Sequence, residues 1–98
     1  MELKIRIHPK AEAEFKDSII WYKNQQKGLE QEFVRCIDEA IEKIKRNPEL
    51  YPLAHKNFRK IIVRRFPFVV IYEFDETSIR ILAIFHSRRN PKIFKSRI

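Results

Sequence analysis

Residues 58–86 read FRKIIVRRFPFVVIYEFDETSIRILAIFH, and the periodicity of this stretch decides the fold. Phe58–Arg64 alternates with period two, placing Arg59, Ile61 and Val63 on one face and Phe58, Lys60, Ile62 and Arg64 on the other. Arg65-Phe66-Pro67 turns the chain. Phe68–Phe74 is a nearly continuous apolar run, the pattern of a central strand covered on both faces. Asp75-Glu76-Thr77-Ser78 makes a hairpin loop. The last strand, Ile79–His86, is predicted with Ile79, Ile81, Ala83 and Phe85 on one face and Arg80, Leu82, Ile84 and His86 on the other. Three strands joined by short links form an antiparallel meander that must bury an apolar face.

The partner for that face lies upstream. Leu3, Ile5 and Ile7 alternate with polar residues as a short strand, which Pro9 ends. Ala11, Phe15, Ile19 and Tyr22 fall at helical spacing, so residues 9–26 are predicted as an amphipathic helix, with Gly28 its C′ residue. Leu29, Phe33, Ile37, Ala40, Ile41 and Ile44 form the stripe of a second helix that Asn47-Pro48 stops. Pro48 to Asn57 reads as a loop. The order is β-α-α-β-β-β. The expected fold is a two-layer α+β domain, a helical hairpin on one face of a mainly antiparallel four-stranded sheet, with the place of the first strand left open.

The chain has 98 residues, 44% of them apolar, which suits one domain over 1–98 with a core that needs no disulfide or metal. The lone glycine, Gly28, excludes every phosphate loop and nucleophile elbow built on two or more glycines, so no nucleotide cofactor is expected. The lone cysteine, Cys36, excludes an internal disulfide and reads as a small core hydrophobe on the second helix. Three histidines without paired spacing give no zinc motif. Neither a leader peptide nor a membrane span is legible, and the expected setting is the cytoplasm.

Charge is one-sided. Residues 1–47 hold ten bases and nine acids, whereas residues 48–98 hold eleven bases and four acids. The tail, residues 87–98, carries Arg88, Arg89, Lys92, Lys95 and Arg97 without an acid, and is expected to display them to an anionic partner.

Several short motifs, in this order and spacing, resemble the toxin subunits of the RelE/ParE superfamily, and most of all its ParE branch. They are Pro9-Lys10-Ala11-Glu12, Trp21-Tyr22, Gly28-Leu29 before Phe33, Asn47-Pro48 with Tyr51-Pro52, Arg64-Arg65-Phe66-Pro67-Phe68 leading into Val70-Ile71-Tyr72, and His86-Ser87-Arg88-Arg89-Asn90-Pro91. The resemblance implies a toxin of a bacterial type II toxin–antitoxin system. It would inhibit DNA gyrase by stoichiometric binding, without a cofactor, and form a hetero-oligomer with the antitoxin that neutralises it. Arg64, Arg65, His86, Arg88, Arg89, Lys92 and Lys95 are then the expected target contacts. Trp21, Arg59, Arg65 and Arg89 are the expected antitoxin contacts.

Two other readings stay open. RelE-like relatives cleave mRNA on the ribosome, and such a nuclease would here rest on His86 with Arg64 and Arg88. Phe94 stands where a tail tyrosine could have moved a proton, which a phenyl ring cannot do. A module component that only binds its antitoxin is the third reading.

Overall fold

The computed structural model describes residues 3–88 and residue 97. Seven elements follow one another: β1 (Lys4–Ile7), α1 (Pro9–Gln25), α2 (Leu29–Arg46), β2 (Leu53–His55), β3 (Phe58–Ile62), β4 (Phe68–Phe74) and β5 (Ser78–His86). The sheet order is β1-β5-β4-β3-β2. β1 runs parallel to β5, with Ile5 opposite Ile79 and Ile7 opposite Ile81, and every other pair is antiparallel. The class is the expected one, but the sheet has five strands rather than four. The extra strand, β2, lies inside the stretch expected to be a loop. It is three residues long, too short for alternation to be legible, and Lys60 N–H donates to Pro52 O beside it (3.0 Å). No described helix is long and apolar enough to cross a membrane.

Local chemistry sets the helix ends. His8 caps α1 through its side chain, Pro9 occupies the first turn, Glu12 lies at the positive end and Lys23 at the negative end. Gly28 does not close α1 as expected. Gln26 ends that helix, its N–H donating to Tyr22 O at 3.1 Å, and Gly28 opens α2 instead. Its φ of 90° lies in the left-handed region, which suits a residue without Cβ.

The hairpin covers one sheet face. Phe33, fully buried on α2, meets the rings of Tyr22 at 4.9 Å, Phe68 at 4.8 Å, Phe66 at 5.3 Å and Phe15 at 5.8 Å. Ile61, Val63, Val70, Tyr72, Ile79, Ile81 and Ile84 complete this core from the sheet, with Cys36 buried in it as a small hydrophobe. Burial holds the Tyr72 hydroxyl up at about 12, and it donates to Pro48 O at 2.6 Å, tying the loop after α2 to the sheet. A second cluster, Phe58, Ile71, Leu82, Ala83 and Phe85, is buried on the opposite face, so β4 is apolar on both sides as its sequence requires.

Strict alternation fails in β5. Tyr72 pairs with Ile81 and Ile71 with Ala83, leaving Leu82 as an extra residue. This bulge reverses the phase of the strand. Ala83 and Phe85 leave the face of Ile79 and Ile81, and Ile84 takes their place under the helices. His86 follows Ile84 and packs edge-on to Phe68 at 5.6 Å.

The bulge leaves backbone groups on the side of β5 beyond the end of β1. The Glu14 carboxylate accepts from Ile84 N–H at 3.2 Å, and the Arg97 guanidinium donates to Leu82 O at 3.1 Å. The two side chains grip each other through contacts of 2.7 and 3.0 Å at 12% and 7% exposure. Arg97 is therefore not displayed as a tail charge: it neutralises an acid of α1 and closes an edge that needs a donor. Replacing it with methionine should lower unfolding stability by about 3 kcal/mol, because a largely buried, two-contact ion pair with Glu14 is broken from one side. Pairing Arg97→Met with Glu14→Leu should recover much of that loss, as measured by urea denaturation.

Candidate functional site

The turn between β3 and β4 presents the paired arginines. Val63 N–H donates to Phe68 O at 2.9 Å, closing the turn, and Ser87 N–H donates to Pro67 O at 2.7 Å, bringing the end of β5 against it. Within the turn Arg65 takes a positive φ of 72°, an uncommon conformation for a residue with Cβ. Phe66 drops into the core against Tyr22 and Phe33. The same turn thus anchors an apolar ring inward and sends two cations outward.

Both cations meet acids of α2. Arg64 Nε and one terminal nitrogen donate to the two Glu39 carboxylate oxygens at 2.9 and 3.0 Å, a bidentate pair. Arg65 donates to Glu32 at 3.2 Å, and Arg35, one turn along α2, bonds the same carboxylate. Glu32 and Glu39 are seven residues apart, two helical turns, and so share the face that looks at the turn. The hydrogen bonds and charge of Arg64, with help from Lys43, pull Glu39 down from 4.5 to about 2. Glu32 is lowered too, first by its bond from Arg35. All four partners remain solvent-accessible, so each pair is worth little in stability and can be exchanged for an external acid.

A second feature lies where α1 passes the end of β5. Asp17, Ser18, Trp21, Tyr22, Phe68 and His86 line a cleft of about 330 Å³. Trp21 is 57% exposed and stands edge-on to Tyr22, ring centroids 5.0 Å apart. Tyr22 is buried and belongs to the core, as its helical spacing indicated. His86 reaches the cleft only because of the Leu82 bulge, and its Nδ1 accepts from Arg88 N–H at 3.1 Å. Asp17 belongs to none of the sequence motifs; its position one helical turn before Trp21 is the signal the sequence offers for it.

The remaining expected residues are dispersed. Arg59 donates to Tyr51 O at 2.6 Å and Glu49 O at 3.2 Å and lies over the Phe74 ring, so it holds the loop before β2. Arg88 is exposed at the end of β5. Arg89, Lys92 and Lys95 lie outside the described residues, as does Phe94. Arg64 is turned toward Glu39 on α2 while His86 lines the Trp21 cleft, so of the three residues a nuclease would rest on, His86 and Arg88 are neighbours and Arg64 has a separate partner. Among the described residues no three His, Cys, Asp or Glu side chains gather as a metal site.

Comparison with known proteins adds two findings. The family model described as ParE toxin of type II toxin-antitoxin system, parDE, matches residues 5–91. The fold is similar to that of a chain from the solved chromosomal ParDE toxin–antitoxin system of P. aeruginosa, with a TM-score of 0.70 and 20% identity, covering 87% of this chain and 96% of that one. No curated protein matches in sequence.

The depressed Glu39 carboxyl gives a signed pH dependence. Its contribution to stability is complete above its ordinary value of 4.5 and is lost as pH falls through about 2. Glu39→Gln should therefore flatten the decline in melting temperature between those two values, compared with the unaltered chain in parallel thermal scans.

Proposed function

The chain belongs to the ParE toxins of type II toxin–antitoxin systems, residues 5–91 carrying the match, and from that premise we propose that it binds and inhibits DNA gyrase and is neutralised by a cognate antitoxin. The observation that carries this reading is the family match itself. The arginine-bearing turn, set beside the exposed end of β5, is consistent with it. Inhibition by binding needs no acid–base pair, and the separate partners of His86 and Arg64 argue against a cleavage centre built on them.

The target contacts are Arg88, Arg89, Lys92 and Lys95, together with Arg64 and Arg65 of the β3–β4 turn and His86 at the end of β5. The antitoxin contacts are Trp21 and Arg65, with Arg59 and Arg89 contributing. Arg64 and Arg65 are already satisfied by Glu39 and Glu32, so an acidic antitoxin segment would exchange one carboxylate for another. The toxin works in the cytoplasm, where gyrase meets the chromosome.

Purified protein should suppress supercoiling by gyrase. Replacing Arg88, Arg89, Lys92 and Lys95 together with alanine should weaken that inhibition roughly tenfold or more, the sum of several exposed charge contacts. His86→Ala should leave translated mRNA uncut, as in the unaltered protein. Codon-specific cutting abolished by His86→Ala would instead establish the nuclease. A chain that binds an antitoxin yet leaves gyrase, mRNA and cell growth untouched would be the attenuated component.

A further inference from the structure

The cleft beside Trp21 has a chemistry opposite to that of the chain around it. The protein carries a net charge of +8, yet among the described residues this cleft is lined by the rings of Trp21, Tyr22, Phe68 and His86 and by one acid, Asp17. Asp17 makes no ion pair among the described residues, a property it shares with Glu30, Asp38, Glu49 and Glu76, but of these acids it alone lines this aromatic cleft. Asp17 and Trp21 are four residues apart on α1, so carboxylate and indole rise from the same helical face. Trp21 keeps more than half its surface in solvent, although its edge-on packing against Tyr22 fixes the ring.

We propose that this cleft seats a cationic side chain, arginine before lysine, presented by the antitoxin. Aromatic faces attract cations, and a carboxylate at the rim supplies the complementary charge. A planar guanidinium can stack on the indole and bond Asp17 through two nitrogens, which an ammonium cannot do. An apolar side chain would use the rings and waste the carboxylate, and an acidic one would be repelled by it. The inference rests on the reading of Trp21 as an antitoxin contact and adds the chemistry of the group that reaches it.

Trp21 is the sole tryptophan, so its emission reports this cleft alone. The full chain is titrated with N-acetyl-arginine methylamide, and in parallel with the leucine and glutamate analogues. The arginine probe should give a saturable change, the leucine probe a weaker one and the glutamate probe none. Asp17→Asn should weaken the arginine response about threefold, the effect of one exposed charge pair, while Asp38→Asn on α2 should not alter it. The proposal is overturned if leucine binds as well as arginine, if Asp17→Asn has no effect, or if no saturable change occurs below about 100 mM. Loss of antitoxin binding in Trp21→Ala together with equal arginine and leucine responses would also overturn it, while leaving Trp21 as an antitoxin contact.

Discussion

The structure depends on one extra residue in its longest strand. β5 is bonded to β1 on one side and β4 on the other, so its side chains supply both faces of the sheet. A strand of strict period two would send Ile79, Ile81, Ala83 and Phe85 to the helices and His86 to the far side. The Leu82 bulge divides the strand into two segments of opposite phase. Ile79 and Ile81 belong to one core, Ala83 and Phe85 to the other, and His86 arrives beside Trp21. The backbone groups disturbed at that point are met by Glu14 and Arg97, from opposite ends of the chain.

Elements with a long hydrophobic period were legible from residues alone. The stripe from Phe33 to Ile44, the alternation of Phe58 to Val63 and the run from Phe68 to Phe74 all lie where their spacing put them, because burial enforces the pattern. Three features escaped. β2 has too few residues to show a period. The bulge leaves an ordinary alternating string, since Leu82 and Ala83 are apolar on whichever face they fall. Gly28 opens α2 rather than closing α1, because a left-handed residue serves equally between two helices as the end of one or the start of the next.

The candidate site divides in the same way. Residue types and family motifs picked out Trp21, Arg64, Arg65 and His86, and all four lie at the β3–β4 turn or in the cleft beside it. What a linear reading lacked was their partners. Glu32 and Glu39 look like ordinary exposed helix acids until the turn is folded against them. The net charge of +8 therefore overstates what Arg64 and Arg65 offer to an approaching anion, and Arg97 offers nothing, since it is enclosed with Glu14. The field that remains is concentrated in fewer residues than a count of bases suggests.

The parallel pairing of β1 with β5 joins the beginning of the chain to a strand that ends at His86. The first strand has no strand to bond until residues 78–81 have been made, and more than 70 residues intervene in the loop that its pairing closes. A nascent chain can form its helices early, but its sheet is completed only once β5 has been made. Interrupted translation therefore yields helices without their supporting sheet, and a truncated product lacks the surface a finished toxin presents.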